Sequence, residues 1–96
     1  MQRYIVERTL RPGMTEGEIE DAIRRLIAVN ATIPEIRGLH SHLAVDQTRF
    51  FCEYEALDPA VLWEAARLAD LPADRVTEVI EIRADMYRLS NHKEGR

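Results

Sequence analysis

The sequence predicts an α+β domain built in the order strand, helix, strand, strand, helix, strand. Three observations predict it. Thr15 stands three residues before Glu18, the spacing of a capping box, and opens a segment with apolar residues at helical spacing. Asp58-Pro59 opens a second such segment, with Asp as N-cap and Pro at the first helical position. Outside these segments lie β-prone runs, two of them joined at Asp46-Gln47 as a hairpin.

The first strand spans residues 2–10 around Tyr4, Ile5 and Val6, and Arg11-Pro12-Gly13 breaks it. A helix follows over 16–30. Ile19, Ala22, Ile23, Leu26 and Ile27 form its apolar face, and Glu16, Glu18, Glu20 and Asp21 sit near its positive end. Pro34 ends anything helical. Strands over 36–45 and 48–56 form the hairpin. With Asp46-Gln47 as the loop, Val45 faces Thr48, Leu43 faces Phe50, Ser41 faces Cys52, His40 faces Glu53 and Leu39 faces Tyr54. Alternation then puts Leu39, Ser41, Leu43, Val45, Phe50, Cys52 and Tyr54 on a core face. His40, His42, Phe51, Glu53 and Glu55 take the other face. The second helix runs to about residue 70 with Leu62, Ala65, Ala66 and Ala69 as its stripe, and its small alanines allow close approach to a sheet. The fourth strand spans 75–83, with Val76, Val79, Ile80 and Ile82 as its apolar members. Residues 1–83 make the domain and 84–96 a polar tail, expected to be mobile over 90–96 and to leave His92 in solvent.

This order is the split βαβ, or ferredoxin-like, arrangement. Right-handed crossovers put both helices on one side of a four-stranded antiparallel sheet. The other side must be polar, carry a ligand or be covered by a second subunit. Its mixture of Phe51 with His40, His42, Glu53 and Glu55 predicts a homodimer of the dimeric α+β barrel type, sheet face on sheet face, with a polar pocket between.

Composition excludes several classes. Ninety-six residues at 46% hydrophobic content make one domain with one modest core. A net charge of −4 without a basic block argues against nucleic acid as a partner. No apolar run approaches the roughly 20 residues that cross a bilayer, so no membrane partner is expected. The opening Met1-Gln2-Arg3-Tyr4-Ile5-Val6-Glu7-Arg8 lacks the apolar stretch of a signal peptide. A single cysteine forms no internal disulfide, and a cytoplasmic protein with Cys52 reduced is expected.

Three stretches carry a family resemblance. They are Arg3-Tyr4-Ile5-Val6-Glu7-Arg8; Phe51-Cys52-Glu53-Tyr54-Glu55-Ala56 followed by Asp58-Pro59; and Ala69-Asp70-Leu71-Pro72-Ala73-Asp74-Arg75-Val76-Thr77-Glu78-Val79. Together, over about residues 3–82, they resemble the small family of unknown function that includes nickel-binding, nickel-responsive bacterial proteins. The resemblance implies the ferredoxin-like fold, the dimer and a metal, but no ligand set; the tail after Arg83 lies outside it.

The candidate chemistry is read from the residues. His40 and His42 put two imidazoles on one strand face, about 7 Å apart. With Glu53 facing them they make a first shell for a divalent metal, and nickel suits imidazole with carboxylate. Glu55 and Glu7 are reserve ligands, and a symmetric partner would complete the shell. The competing reading of Glu7, Glu53, Glu55 and Glu78 is cross-strand pairing with Arg3, Arg8, Arg49 or Arg83. Cys52 points away from the histidines and reads as a small core hydrophobe, with no basic group evident beside it. Two functions follow. One is a non-enzymatic binder of nickel or another divalent ion, used in sequestration or metal response. The alternative is a cofactor-free isomerase or monooxygenase with His40 or His42 as base in an apolar cavity.

Overall fold

The structure, a computed structural model, describes residues 1–87. The elements are β1 (Gln2–Thr9), α1 (Glu16–Asn30), β2 (Ile36–Leu43), β3 (Arg49–Ala56), α2 (Pro59–Leu68) and β4 (Arg75–Val79). The strands form one antiparallel sheet in the order β2-β3-β1-β4, the ferredoxin-like order. The expectations for residues 90–96 and His92 lie outside the described residues.

Both helix starts are set by local chemistry. Thr15 Oγ accepts from the Glu18 amide at 3.1 Å, and Glu18 accepts from the Thr15 amide at 2.9 Å, which completes the capping box. Asp58 accepts from the Ala60 amide at 2.6 Å at the head of α2. The far end of α2 is closed without glycine. Asp70 takes the left-handed conformation at φ 54, Leu71 N donates to Ala66 O and Asp70 N donates to Arg67 O. That double bond pattern is a Schellman motif, and it turns Leu71 into the core.

The core lies between the helices and one sheet face. Ile19, Ala22 and Leu26 of α1 and Leu62 and Ala65 of α2 pack over Tyr4, Val6, Phe50, Cys52 and Tyr54. Ile27 lies at the margin of the α1 stripe and stays exposed.

Four readings of the strands are corrected. Leu39 does not face Tyr54. The pairs Leu43–Phe50, Ser41–Cys52 and His40–Glu53 form as expected, then a bulge at Leu39 shifts the register and Gly38 faces Tyr54. Leu43 and Val45 do not join the core. β2 is an outer strand flanked by β3 alone, and Val45 stands fully exposed in the turn. That turn is wider than Asp46-Gln47: Gln47 N donates to Ala44 O, Gln47 is left-handed at φ 63, and Ala44 N to Arg49 O closes the ladder. Finally, β4 ends at Val79 because its rungs with β1 run out at Arg3; Ile80 and Ile82 lie beyond.

Candidate functional site

The open sheet face is a grid of rungs, because antiparallel partners point to the same side. One rung reads Arg37, Glu55, Arg3, Val79 from β2 to β4; the next reads His40, Glu53, Ile5, Thr77; the third reads His42, Phe51, Glu7, Arg75. The bulge shapes the first rung. One extra residue flips the strand, so Arg37 comes to the open face opposite Glu55 rather than to the helix side.

All five predicted site residues thus share one face, and they split by partner. Glu53 accepts from Arg3 Nη1 at 3.2 Å. Glu55 accepts from Arg3 Nη2 at 3.4 Å and from Arg37 Nη1 at 3.2 Å. Glu7 accepts from Arg49 Nη2 at 2.8 Å, while the Arg49 guanidinium lies 5.3 Å from the Phe51 ring centroid. Cross-strand pairing therefore holds for all three carboxylates. His40 and His42 are exposed beside them, His40 directly opposite Glu53. Among the described residues, no three His, Cys, Asp or Glu side chains converge closely enough in one chain to hold a metal ion. The donor types fit a divalent ion of borderline softness, with two imidazoles and one carboxylate on neighbouring rungs, and need further donors from water or a second chain.

Arg3 is the hub of the face. Its guanidinium reaches Glu53, Glu55 and also Glu81, which lies beyond the end of β4. The Arg83 and Arg3 guanidiniums hold the Glu81 carboxyl below its ordinary range. Glu78 does not join this set. It sits opposite Tyr4 on the helix side, where burial and then the Glu78 charge push the Tyr4 phenol up.

The helix side holds a group that the sequence reading misplaced. Arg8 was a candidate partner for a strand carboxylate; it is instead buried, at 1% exposure. Its Nε donates to Leu71 O at 3.0 Å and its Nη1 to Cys52 Sγ at 3.3 Å. A basic group does therefore stand beside Cys52, which is fully buried on the face away from the histidines. The signal was in the alternation: Tyr4, Val6 and Arg8 share a parity, and that parity faces the core. Nearby, between α1 and β2, a cavity of about 270 Å³ is walled by Leu26, Leu39 and Phe50, with Asn30, His40, Ser41 and Tyr54 as its polar members.

No curated protein matches the chain. The solved structure described as the crystal structure analysis of SCO4226 from Streptomyces coelicolor A3(2) superimposes with a TM-score of 0.71. The two chains are 15% identical, and the match covers 84% of this chain and 99% of that one, which shows a common fold. The sequence profile described as Nickel responsive protein SCO4226-like matches residues 4–79, from Tyr4 in β1 to Val79 at the end of β4. The chain therefore belongs to the SCO4226-like family of nickel-responsive proteins.

Proposed function

We propose that this chain is a non-enzymatic binder of nickel, or of a similar divalent ion, that serves in metal sequestration or metal response. The observation that carries the reading is His40 directly opposite Glu53 with His42 on the same face, in a chain of a nickel-responsive family. His40, His42 and Glu53 are the proposed ligands, with Glu55 and Glu7 in reserve. One chain supplies too few donors in one place, so the reading includes a homodimer that brings a second open face against the first. When bound, the ion supplies a strong positive charge between the rungs. The chain supplies imidazoles as neutral donors and a carboxylate that the ion must share with Arg3. A cytoplasmic setting goes with this reading, since Cys52 stays a free thiol. Among the described residues, no helix is long and apolar enough to cross a membrane.

Calorimetry of tag-free protein with Ni²⁺ tests the proposal, alongside the His40→Ala/His42→Ala double variant. Micromolar or tighter binding by the parent, lost in a variant of unchanged oligomeric state, is the expected result. A parent that binds no nickel refutes it. The second reading, a cofactor-free enzyme, has one observation in its favour: His40 stands at the rim of the apolar cavity between α1 and β2. Small apolar ligands that bind the parent and lose affinity in Phe50→Ala would shift the balance to it.

A further inference from the structure

We propose that the cavity beside the β1–α1 loop is a binding site for a free α-amino acid with an apolar side chain, whose carboxylate meets Arg25 and whose ammonium meets Asp70. The cavity, of about 410 Å³, lies on the helix side of the sheet between that loop, α1 and the turn after α2. Small-molecule pockets run from about 300 to 1,000 Å³, so this one suits a small ligand. Its floor belongs to the core: Leu10, Ala22 and Leu71 are buried, and Met14 is half-buried beside them.

Two charges stand on its wall. Arg25 Nε donates to Ala69 O at 3.0 Å, which fixes the guanidinium at the end of α2. Asp70 is the next residue, left-handed at φ 54 in the Schellman turn. The two charges are thus anchored at adjacent residues, about 3.8 Å apart along the chain. Among the described residues they form no ion pair with each other or with a third side chain. Arg11, the other charged group on the wall, is already paired with Glu18 at 3.1 Å.

Charge then selects the ligand. A lone carboxylate on Arg25 stands beside the Asp70 carboxylate, and a lone ammonium on Asp70 stands beside the guanidinium. Each is repelled by the second charge on the wall. A molecule with both charges on one carbon satisfies both groups at once, and an α-amino acid is that molecule. Its side chain falls to the floor of Leu10, Met14 and Leu71, where a polar one would lose its hydration without a partner. The site lies across the sheet from the rungs of His40 and His42, so it stands whether or not the open face takes a metal.

Titration of the full, isotope-labelled chain with L-leucine tests the assignment, read from the backbone amide signals of Leu10, Met14 and Leu71. L-leucine is expected to shift them saturably. 4-Methylpentanoate, which lacks the ammonium, and 3-methylbutylamine, which lacks the carboxylate, are each expected to bind at least about tenfold more weakly. Asp70→Asn removes the charge and keeps the turn, because asparagine also takes the left-handed position after a helix. That variant is expected to melt with the parent, to lose at least about tenfold in affinity for L-leucine, and to bind 4-methylpentanoate more tightly than the parent does. Arg25→Gln is expected to weaken both ligands. L-leucine that leaves the three amides unmoved, or that binds Asp70→Asn as it binds the parent, overturns the proposal.

Discussion

Tyr54 is expected to make the protein lose stability in alkali. The side chain is 5% exposed, on the core face of β3. Burial pushes its phenol up to about 12; charge on Cys52 adds to this, while Arg8 opposes it. The sign follows from linkage. The folded chain holds the proton more tightly than the unfolded one, whose phenol titrates near 10, so the stability present below about pH 10 is lost as pH rises toward about 12. At pH 11 the loss from this residue comes to about 1.4 kcal/mol, rising to at most about 2.7 kcal/mol above both values. Tyr54→Phe isolates it. The variant keeps the ring and gives up only the hydroxyl, which accepts from Asn30 Nδ2 at a long 3.4 Å. That bond is worth about 0.5–1 kcal/mol at neutral pH. Urea unfolding of both proteins at pH 8 and pH 11 is the assay. The variant starts slightly less stable, and the order reverses or closes by pH 11. Tyr4, which is also pushed up, titrates in both proteins and cancels in the difference. Parallel losses in the parent and the variant would refute the reasoning.

Other predictions test the scaffold. Leu62→Ala, at a position 2% exposed where α2 meets the sheet, is expected to cost about 3 kcal/mol and lower the melting temperature by more than about 10 °C. Thr15→Ala removes the acceptor for the Glu18 amide and is expected to cost about 1 kcal/mol, read by chemical unfolding. The Thr15 amide holds the Glu18 carboxyl below its ordinary range, so that contribution, present at neutral pH, is lost on acidification through the carboxylate range. Glu18→Gln is expected to flatten that acid limb.

The elements were legible where local chemistry is strong. The capping box placed α1 over 16–30, Asp58-Pro59 placed the start of α2, and alternation placed Phe50, Cys52 and Tyr54 in the core. It also placed His40, His42, Glu53 and Glu55 together on the open side. The rest depends on neighbours that sequence spacing does not show. The Leu39 bulge, which decides that Arg37 meets Glu55, is signalled only by the neighbouring Gly38, a residue that inside a strand often marks a bulge but does not say in which register. Leu43 is apolar at a core parity, but on an outer strand parity alone does not bury it. Arg8 shows the converse. Its parity pointed inward, and its charge argued outward; the Leu71 carbonyl, aimed by the Schellman turn after α2, settled the matter.

That contrast bears on the open face, where each predicted carboxylate has a guanidinium and, among the described residues, His40 and His42 have no ion-pair partner. A second copy can cover neutralised pairs at lower desolvation cost than lone charges, so on the dimer reading proposed above the arginines lower the cost of burying this face. On the metal reading they also compete with the ion. Arg3 is the competitor at Glu53, and it would keep Glu55 and Glu81 when Glu53 is taken. Removing it should therefore help nickel twice, by freeing the carboxylate and by removing a like charge from the site. A divalent and a monovalent cation a few ångströms apart near a solvated surface repel enough that Arg3→Met is expected to tighten nickel binding about tenfold at low salt, and less at high salt. Calorimetry at two salt concentrations reads both effects, with a melting curve to show that the variant stays folded. Weaker or unchanged binding in Arg3→Met would mean that Glu53 serves the sheet through its ion pair and that the ion, if bound, is held elsewhere.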